Sequence, residues 1–221
     1  MAGYLAMFLC SLGSKVKVSG RHHVPSDGPF VVVSNHFSYI DPPFVIHAVQ
    51  KPINFLAASD QVIEPQFIWA PLLYGFIPTD RTSLAPSTIK SSIRVLKNRE
   101  VLGIFPEGTS LQHSLRPAKN GAAFLSATGK TKLLPVGIVG IENAWDMMFK
   151  GIRPTAHIRV GKPFGPFSVG KTKKKKEKDL KIIGEEIMCR IAALIPDERH
   201  GVFSGNKKII GFRDQNRLPD F

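Results

Sequence analysis

A chain of 221 residues with 43% hydrophobic and 21% charged side chains suits one globular domain with a large core. Thirty Lys and Arg against 17 Asp and Glu give a net charge of +13, which calls for an anionic partner: nucleic acid, anionic lipid or a phosphorylated substrate. Two cysteines, Cys10 and Cys189, exclude a disulfide framework and fit no zinc or redox spacing, so a reducing compartment is expected.

Residues 1–14, MAGYLAMFLCSLGS, carry no charged side chain. As a helix the apolar part spans about 20 Å, short of a ~30 Å hydrocarbon core, and it lacks the basic start of a signal peptide. Tyr4, Leu5, Met7, Phe8, Leu9 and Leu12 form a bulky face opposite Ala2, Gly3, Ala6 and Cys10. Such a segment either dips into one leaflet or packs on the core.

Residues 15–20 alternate like a strand, and the turn residues 25–29 lead into Phe30-Val31-Val32-Val33-Ser34, a buried strand. Asp41-Pro42-Pro43 predicts a helix start, with Asp41 as cap and the helix running to about Val49. Residues 53–58 form another strand. Residues 62–78 hold three prolines among large apolar groups; they read as a core-packed irregular connection, or as an acyl-chain channel or membrane-dipping edge. A helix from Pro86 to about Asn98 puts Ile89, Ile93 and Leu96 on one face. Strands follow at 101–105, 133–139 and 156–160, a short helix at 119–128, and a last helix at about 179–195 with Leu180, Ile183, Ile187, Ile191 and Leu194 on one stripe. Beyond it, residues 197–221 read as a polar tail. Strands mixed with helices predict a single α/β domain over residues 15–196, its mixed, mostly parallel sheet flanked by helices.

Between Lys171 and Lys181 seven lysines face only Glu177 and Asp179. The run reads as a solvated loop or as a polybasic lipid contact. Nucleic acid is the weaker partner, since no aromatics interleave the lysines and no nucleic-acid-binding motif is present.

Serine-hydrolase, zinc-protease, P-loop and dinucleotide signatures are all missing. Present instead is NHFSYID, residues 35–41, directly after the strand FVVVS. A five-residue offset places His36 and Asp41 off a common helical face, so His36 belongs to the turn and Asp41 to the helix start. A carboxylate there can orient the imidazole and stabilise its protonated form, which makes His36 a general-base candidate. FPEGTS, residues 105–110, ends a second strand with an acid and a glycine.

Together NHFSYID and FPEGTS resemble the blocks of the glycerolipid acyltransferases, the family typified by 1-acylglycerol-3-phosphate acyltransferase. GFIPTDR (75–81), LLPVGI (133–138) and the basic, glycine-containing LRPAKNGAAFLS (115–126) match further blocks in order, so the resemblance covers about residues 15–165. It implies His36 as base and Asp41 as its partner. It implies an acceptor site built from Asn35, Gly75, Arg81, Glu107, Gly108, Thr109 and Lys119. Arg81 offers a forked donor set for phosphate, and Glu107 is expected to hold Arg81 or to bond a hydroxyl. In place of the arginine the family often has after its second block stands Ser110, so Arg116 or Lys119 is expected to supply that charge. The implied reaction passes an acyl group from acyl-CoA or acyl-carrier protein to the hydroxyl of 1-acyl-sn-glycerol 3-phosphate, with no cofactor and no metal. The implied setting is the cytoplasmic face of a membrane, held peripherally or monotopically through anionic lipid, with no nucleic acid bound. The alternatives are another lysophospholipid or alcohol acceptor, or a non-catalytic basic membrane-binding module.

Overall fold

The computed structural model describes residues 13–58, 75–80, 85–108 and 113–219. Seven strands form one sheet: β1 Lys15–Ser19, β2 Phe30–Ser34, β3 Ile53–Ala58, β4 Gly75–Thr79, β5 Val101–Ile104, β6 Leu133–Val139 and β7 Thr155–Val160. Their order is β1-β7-β6-β2-β5-β3-β4, and every neighbouring pair is parallel except β6 with β7. Among the described residues the helices of more than one turn are α1 Asp41–Val49, α2 Pro86–Lys97, α3 Gly121–Gly129, α4 Ala144–Phe149, α5 Lys173–Ala192 and α6 Lys208–Asn216. The predicted fold class is the observed one.

The central strand β2 is buried at all five positions, as a strand covered on both faces must be. Its alternation sorts the core into two layers. Phe30 and Val32 join Leu134, Val136 and Ile138 beneath Phe44, Val45 and Ile46 of α1. Val31 and Val33 face the other way, with Leu102 and Ile104, beneath α2, α3 and α5. Close approach on that second side needs Gly137 in β6, where a Cβ would stand 2.7 Å from the Leu194 carbonyl oxygen.

Three elements differ from the expectations. Strand β4 includes Pro78, which an edge strand tolerates because one of its sides needs no ladder bond. The rest of the connection in which a channel was one reading, residues 62–74, lies outside the described residues, as do residues 59–61 and 1–12. The last long helix begins at Lys173 rather than near residue 179, because the Thr172 side chain accepts the Lys175 N–H and lysines are good helix formers. The polybasic run is therefore mostly the first turns of α5, not a loop.

The third difference is the expected tail. Residues 197–203 make two 3₁₀ turns and α6 follows. Phe203 and Ile209 are buried in the same layer as α5, and the Arg190 guanidinium of α5 lies 4.4 Å from the Phe164 ring and 4.1 Å from that of Phe212 on α6. Cys189 packs in the core, where burial pushes its thiol up to about 11 and leaves it neutral.

Candidate active site

Strands β2 and β5 lie side by side but send their chains to opposite faces of the sheet. From β2 the chain enters α1 on one face and crosses to β3; from β5 it enters α3 on the other and crosses to β6. Adjacent strands with diverging exits open a crevice at their carboxyl ends. His36 stands two residues past β2, and Glu107 three past β5.

In that crevice His36 Nδ1 lies 2.9 Å from Asp41 Oδ2. The Asp41 side chain is 1% exposed and that of His36 16%. Asp41 opens α1 but does not cap it, contrary to the expectation. The N-cap position is Ile40 with no side-chain bond, and Oδ2 also accepts the Ser38 N–H at 2.9 Å. One oxygen thus closes the turn and orients the imidazole. Burial raises the Asp41 carboxyl above its ordinary range; the bond and charge of His36 and the Ser38 N–H pull it back, and the negative charge of Glu142 adds a small push upward. With Nδ1 committed, Nε2 is the nitrogen left to meet a substrate hydroxyl. The ring is further fixed by stacking on Phe105, centroids 4.0 Å apart, and Phe105 stacks in turn on Phe55.

Glu107 ties the two strand exits together. Its Oε1 accepts the His36 backbone N–H at 3.2 Å and its Oε2 the Arg116 backbone N–H at 3.1 Å, with Arg116 Nε 3.7 Å away. Burial raises its carboxyl, and these two N–H donors and the Arg116 charge oppose the rise. So Glu107 gives both oxygens to backbone N–H groups and ties the His36 turn to the loop after β5. Arg116 is taken up by that contact, and Lys119 is the cation of this segment that reaches the groove. Arg81, the expected partner of Glu107, and Thr109 lie outside the described residues.

Two other expected site residues meet the scaffold closely. Asn35 is wholly buried; its Nδ2 donates to the Ile138 carbonyl and its Oδ1 accepts the Ile138 N–H, both at 2.8 Å. Both ends of the buried amide are thus engaged with β6. Gly75 starts β4 opposite Asn54, and a Cβ there would stand 2.1 Å from Asn54 Oδ1. It therefore sits at the end of its strand remote from His36, where the constraint is packing; the site end of β4 is Thr79-Asp80.

Past Phe105 a groove of about 640 Å³ runs between apolar walls from Leu56, Ile104, Phe124 and Leu180, with Asp80, Gly108, Lys119 and Lys176 at its polar parts. Gly108 has φ +71 and lets the Lys119 stem cross it, where a Cβ would stand 2.8 Å from Lys119 Cδ. The Lys176 ammonium sits 4.6 Å from the Phe124 ring centroid. Sequence reasoning missed Phe105, Asn35 as a clamp, and Lys176 as a groove residue. Only the first carried a signal, an aromatic at the strand exit before the Pro-Glu-Gly turn.

The acyltransferase family model matches residues 15–139, which hold His36, Asp41, Glu107 and Arg116. The chain is 30% identical over 146 residues to the 1-acyl-sn-glycerol-3-phosphate acyltransferase of Bacillus subtilis, covering 65% of this chain and 72% of that protein. It is 26% identical to the Streptococcus pneumoniae enzyme of the same name, covering 94% and 76%. Among solved structures, the 1-acyl-sn-glycerophosphate acyltransferase PlsC of Thermotoga maritima superposes with a TM-score of 0.60 at 21% identity, over 84% of this chain and 76% of that one, a likeness of fold.

Proposed function

The chain belongs to the acyltransferase family, and we propose that it acylates the free hydroxyl of 1-acyl-sn-glycerol 3-phosphate to give phosphatidic acid. The observation that carries this reading is the His36–Asp41 pair, 2.9 Å apart, with the carboxylate buried and the imidazole open to the crevice. The names of the relatives support the acceptor. The acyl donor is a thioester, on coenzyme A or on acyl-carrier protein.

His36 Nε2 takes the proton of the acceptor hydroxyl as its oxygen attacks the thioester carbonyl. The carbon–oxygen bond forms, and the tetrahedral intermediate collapses with cleavage of the carbon–sulfur bond. The departing thiolate receives the proton back from His36. Asp41 holds Nδ1–H throughout and stabilises the imidazolium between the two transfers. A positioned base of this kind contributes about 10² to 10⁴ in rate, and fixing both substrates in register adds to it. Backbone N–H groups serve the oxyanion. The reaction as proposed draws on no metal and no bound cofactor. Lys119 and Lys176 offer positive charge to the phosphate of an anionic substrate, and Arg81 is proposed to join them. The apolar groove walls suit an acyl chain.

The test is thiol release from acyl-CoA and from acyl-carrier protein by the purified chain, with lysophosphatidic acid, lysophosphatidylcholine and monoacylglycerol as acceptors. Lysophosphatidic acid is expected to give the highest kcat/KM, and His36→Ala to abolish it. Equal rates on the uncharged acceptor would overturn the acceptor assignment and leave a broader acyltransferase.

A further inference from the structure

Three large apolar side chains stand out in water at one turn: Phe149 is 87% exposed, Ile152 51% and Met148 41%. They sit at the end of α4 and in the turn to β7, with Lys150 and Arg153 exposed among them. Scattered apolar residues are ordinary on a protein surface, but such a cluster marks a surface made for contact. The acid of α4, Asp146, stands in its first turn; residues 148–153 carry two cations and no acid.

The place of the turn in the sheet gives the cluster a direction. Strand β7 runs antiparallel to β6, with His157 opposite Val139, so its first residues lie at the end where β6 finishes. Strand β2 is parallel to β6, with Ser34 opposite Val136, and releases His36 at that same end. Phe149, Ile152 and the catalytic pair therefore share one end of the sheet. The chain also enters there: Lys15 donates its N–H to the Pro154 carbonyl, Arg153 Nη2 donates to the Ser14 carbonyl, and a Cβ at Gly13 would stand 3.2 Å from Met148 Cε. The uncharged apolar sequence of residues 1–12 thus joins the protein beside this turn.

We infer that the α4–β7 turn is a lipid-facing surface, which inserts Phe149 and Ile152 among headgroups and holds the crevice toward the bilayer. The choice of lipid as occupant rests on the acceptor proposed above, itself a membrane lipid. It is favoured by the chemistry of the turn: apolar tips enter the interface while the exposed Lys150 stem extends its charge to phosphates. The net charge of +13 suits an anionic leaflet.

The experiment uses the full chain with vesicles of phosphatidylcholine, with and without phosphatidylglycerol, some carrying brominated acyl chains. Phe149→Trp is expected to be quenched by the brominated lipids well beyond the wild-type background of the two native tryptophans. Lys97→Trp, at the opposite end of the sheet, is expected to add no quenching. Phe149→Ser with Ile152→Ser should lower vesicle partitioning about tenfold, with an unchanged melting temperature. Its rate on a short-chain, monomeric lysophosphatidic acid should match wild type, while its rate on vesicle-embedded acceptor falls. Absence of vesicle binding, an unquenched Phe149→Trp in a protein that pellets with vesicles, or wild-type partitioning of the double variant would each overturn the inference. Failure of the acyltransferase reading would show separately, as wild-type inactivity on the monomeric acceptor.

Discussion

The two loops that meet at the active site are held by opposite means. In the loop after β2 the Asp41 carboxylate accepts from both His36 and Ser38, across at most five residues. The loop after β5 is held from far along the chain. Glu107 reaches back to His36, 71 residues earlier. Leu115 donates its N–H to Arg199 and accepts from Val202, and Arg199 Nη1 donates to the His113 carbonyl. The His36–Asp41 pair itself draws only on a strand end and a helix start. The second loop takes bonds from the C-terminal turns. The His36–Asp41 pair is thus a local arrangement, while Glu107 and its loop rest on long-range contacts.

Removing the local pair should cost most. His36→Ala is expected to lower kcat by about 10³ or more with little change in melting temperature, measured by single-turnover acyl transfer. Asp41→Asn should cost about 10², because the base remains but loses its orientation. The same variant carries a pH signature. Burial raises the Asp41 carboxyl, so the folded chain keeps its proton to higher pH than the unfolded chain does. Wild type therefore loses stability as pH climbs from the ordinary carboxylate range through the raised value, and Asp41→Asn lacks that loss. Urea midpoints between about pH 4 and about pH 8 should move in favour of the variant as pH rises. An unchanged difference across that range would remove the buried-charge account of the pair.

Glu107→Gln tests the tie between the loops. A glutamine has one acceptor for two backbone N–H groups and turns a donor toward the other, so kcat should fall about tenfold to thirtyfold and stability by about 1–3 kcal/mol. If Glu107 touches substrate instead, KM should rise and the urea midpoint stay put. Gly201→Ala addresses the distant brace alone. Gly201 has φ +53 and a Cβ there would stand 2.2 Å from the Leu115 carbonyl oxygen. A loss of about 2 kcal/mol or more is expected, with kcat lowered a few-fold through the β5 loop. The smallest effect belongs to the groove. Lys176→Met keeps an unbranched stem over Phe124 and removes the charge, so KM for an anionic substrate should rise about threefold while melting is unchanged, and Lys176→Arg should restore it.

The same contrast explains what was legible in the sequence. The β2 loop was read nearly whole, because strand, turn and helix start follow one another within twelve residues and each has a local signature. Asp41 was right in its partner but not as a cap, since the cap bond and the Ser38 bond differ only in which N–H folds back. At β5 the strand and its exit were legible and the partners were not. Nothing in FPEGTS says that Glu107 will spend both oxygens on backbone groups, and nothing near Asn35 names Ile138. Residues 197–221 read as a tail in the sequence because the part described, to residue 219, docks through Arg–aromatic stacking and a few turns, which leave no hydrophobic period to find. The lysine run was seen but not its helix, whose start hangs on one threonine.

The clamp of Asn35 on Ile138 has a consequence for how the site loosens. Since both amide bonds run to β6, the start of the His36 turn is anchored to two neighbouring central strands as well as closed within its loop. Thermal fraying of the turn at Ser38 leaves that attachment in place. In deuterium exchange the Ile138 amide should then be among the slowest in the chain, opening only when β2 and β6 part. Where that amide exchanges at the rate of its strand neighbours, the point from which the His36 turn hangs lasts as long as the sheet itself, and the turn can open and re-form without losing its place between the central strands.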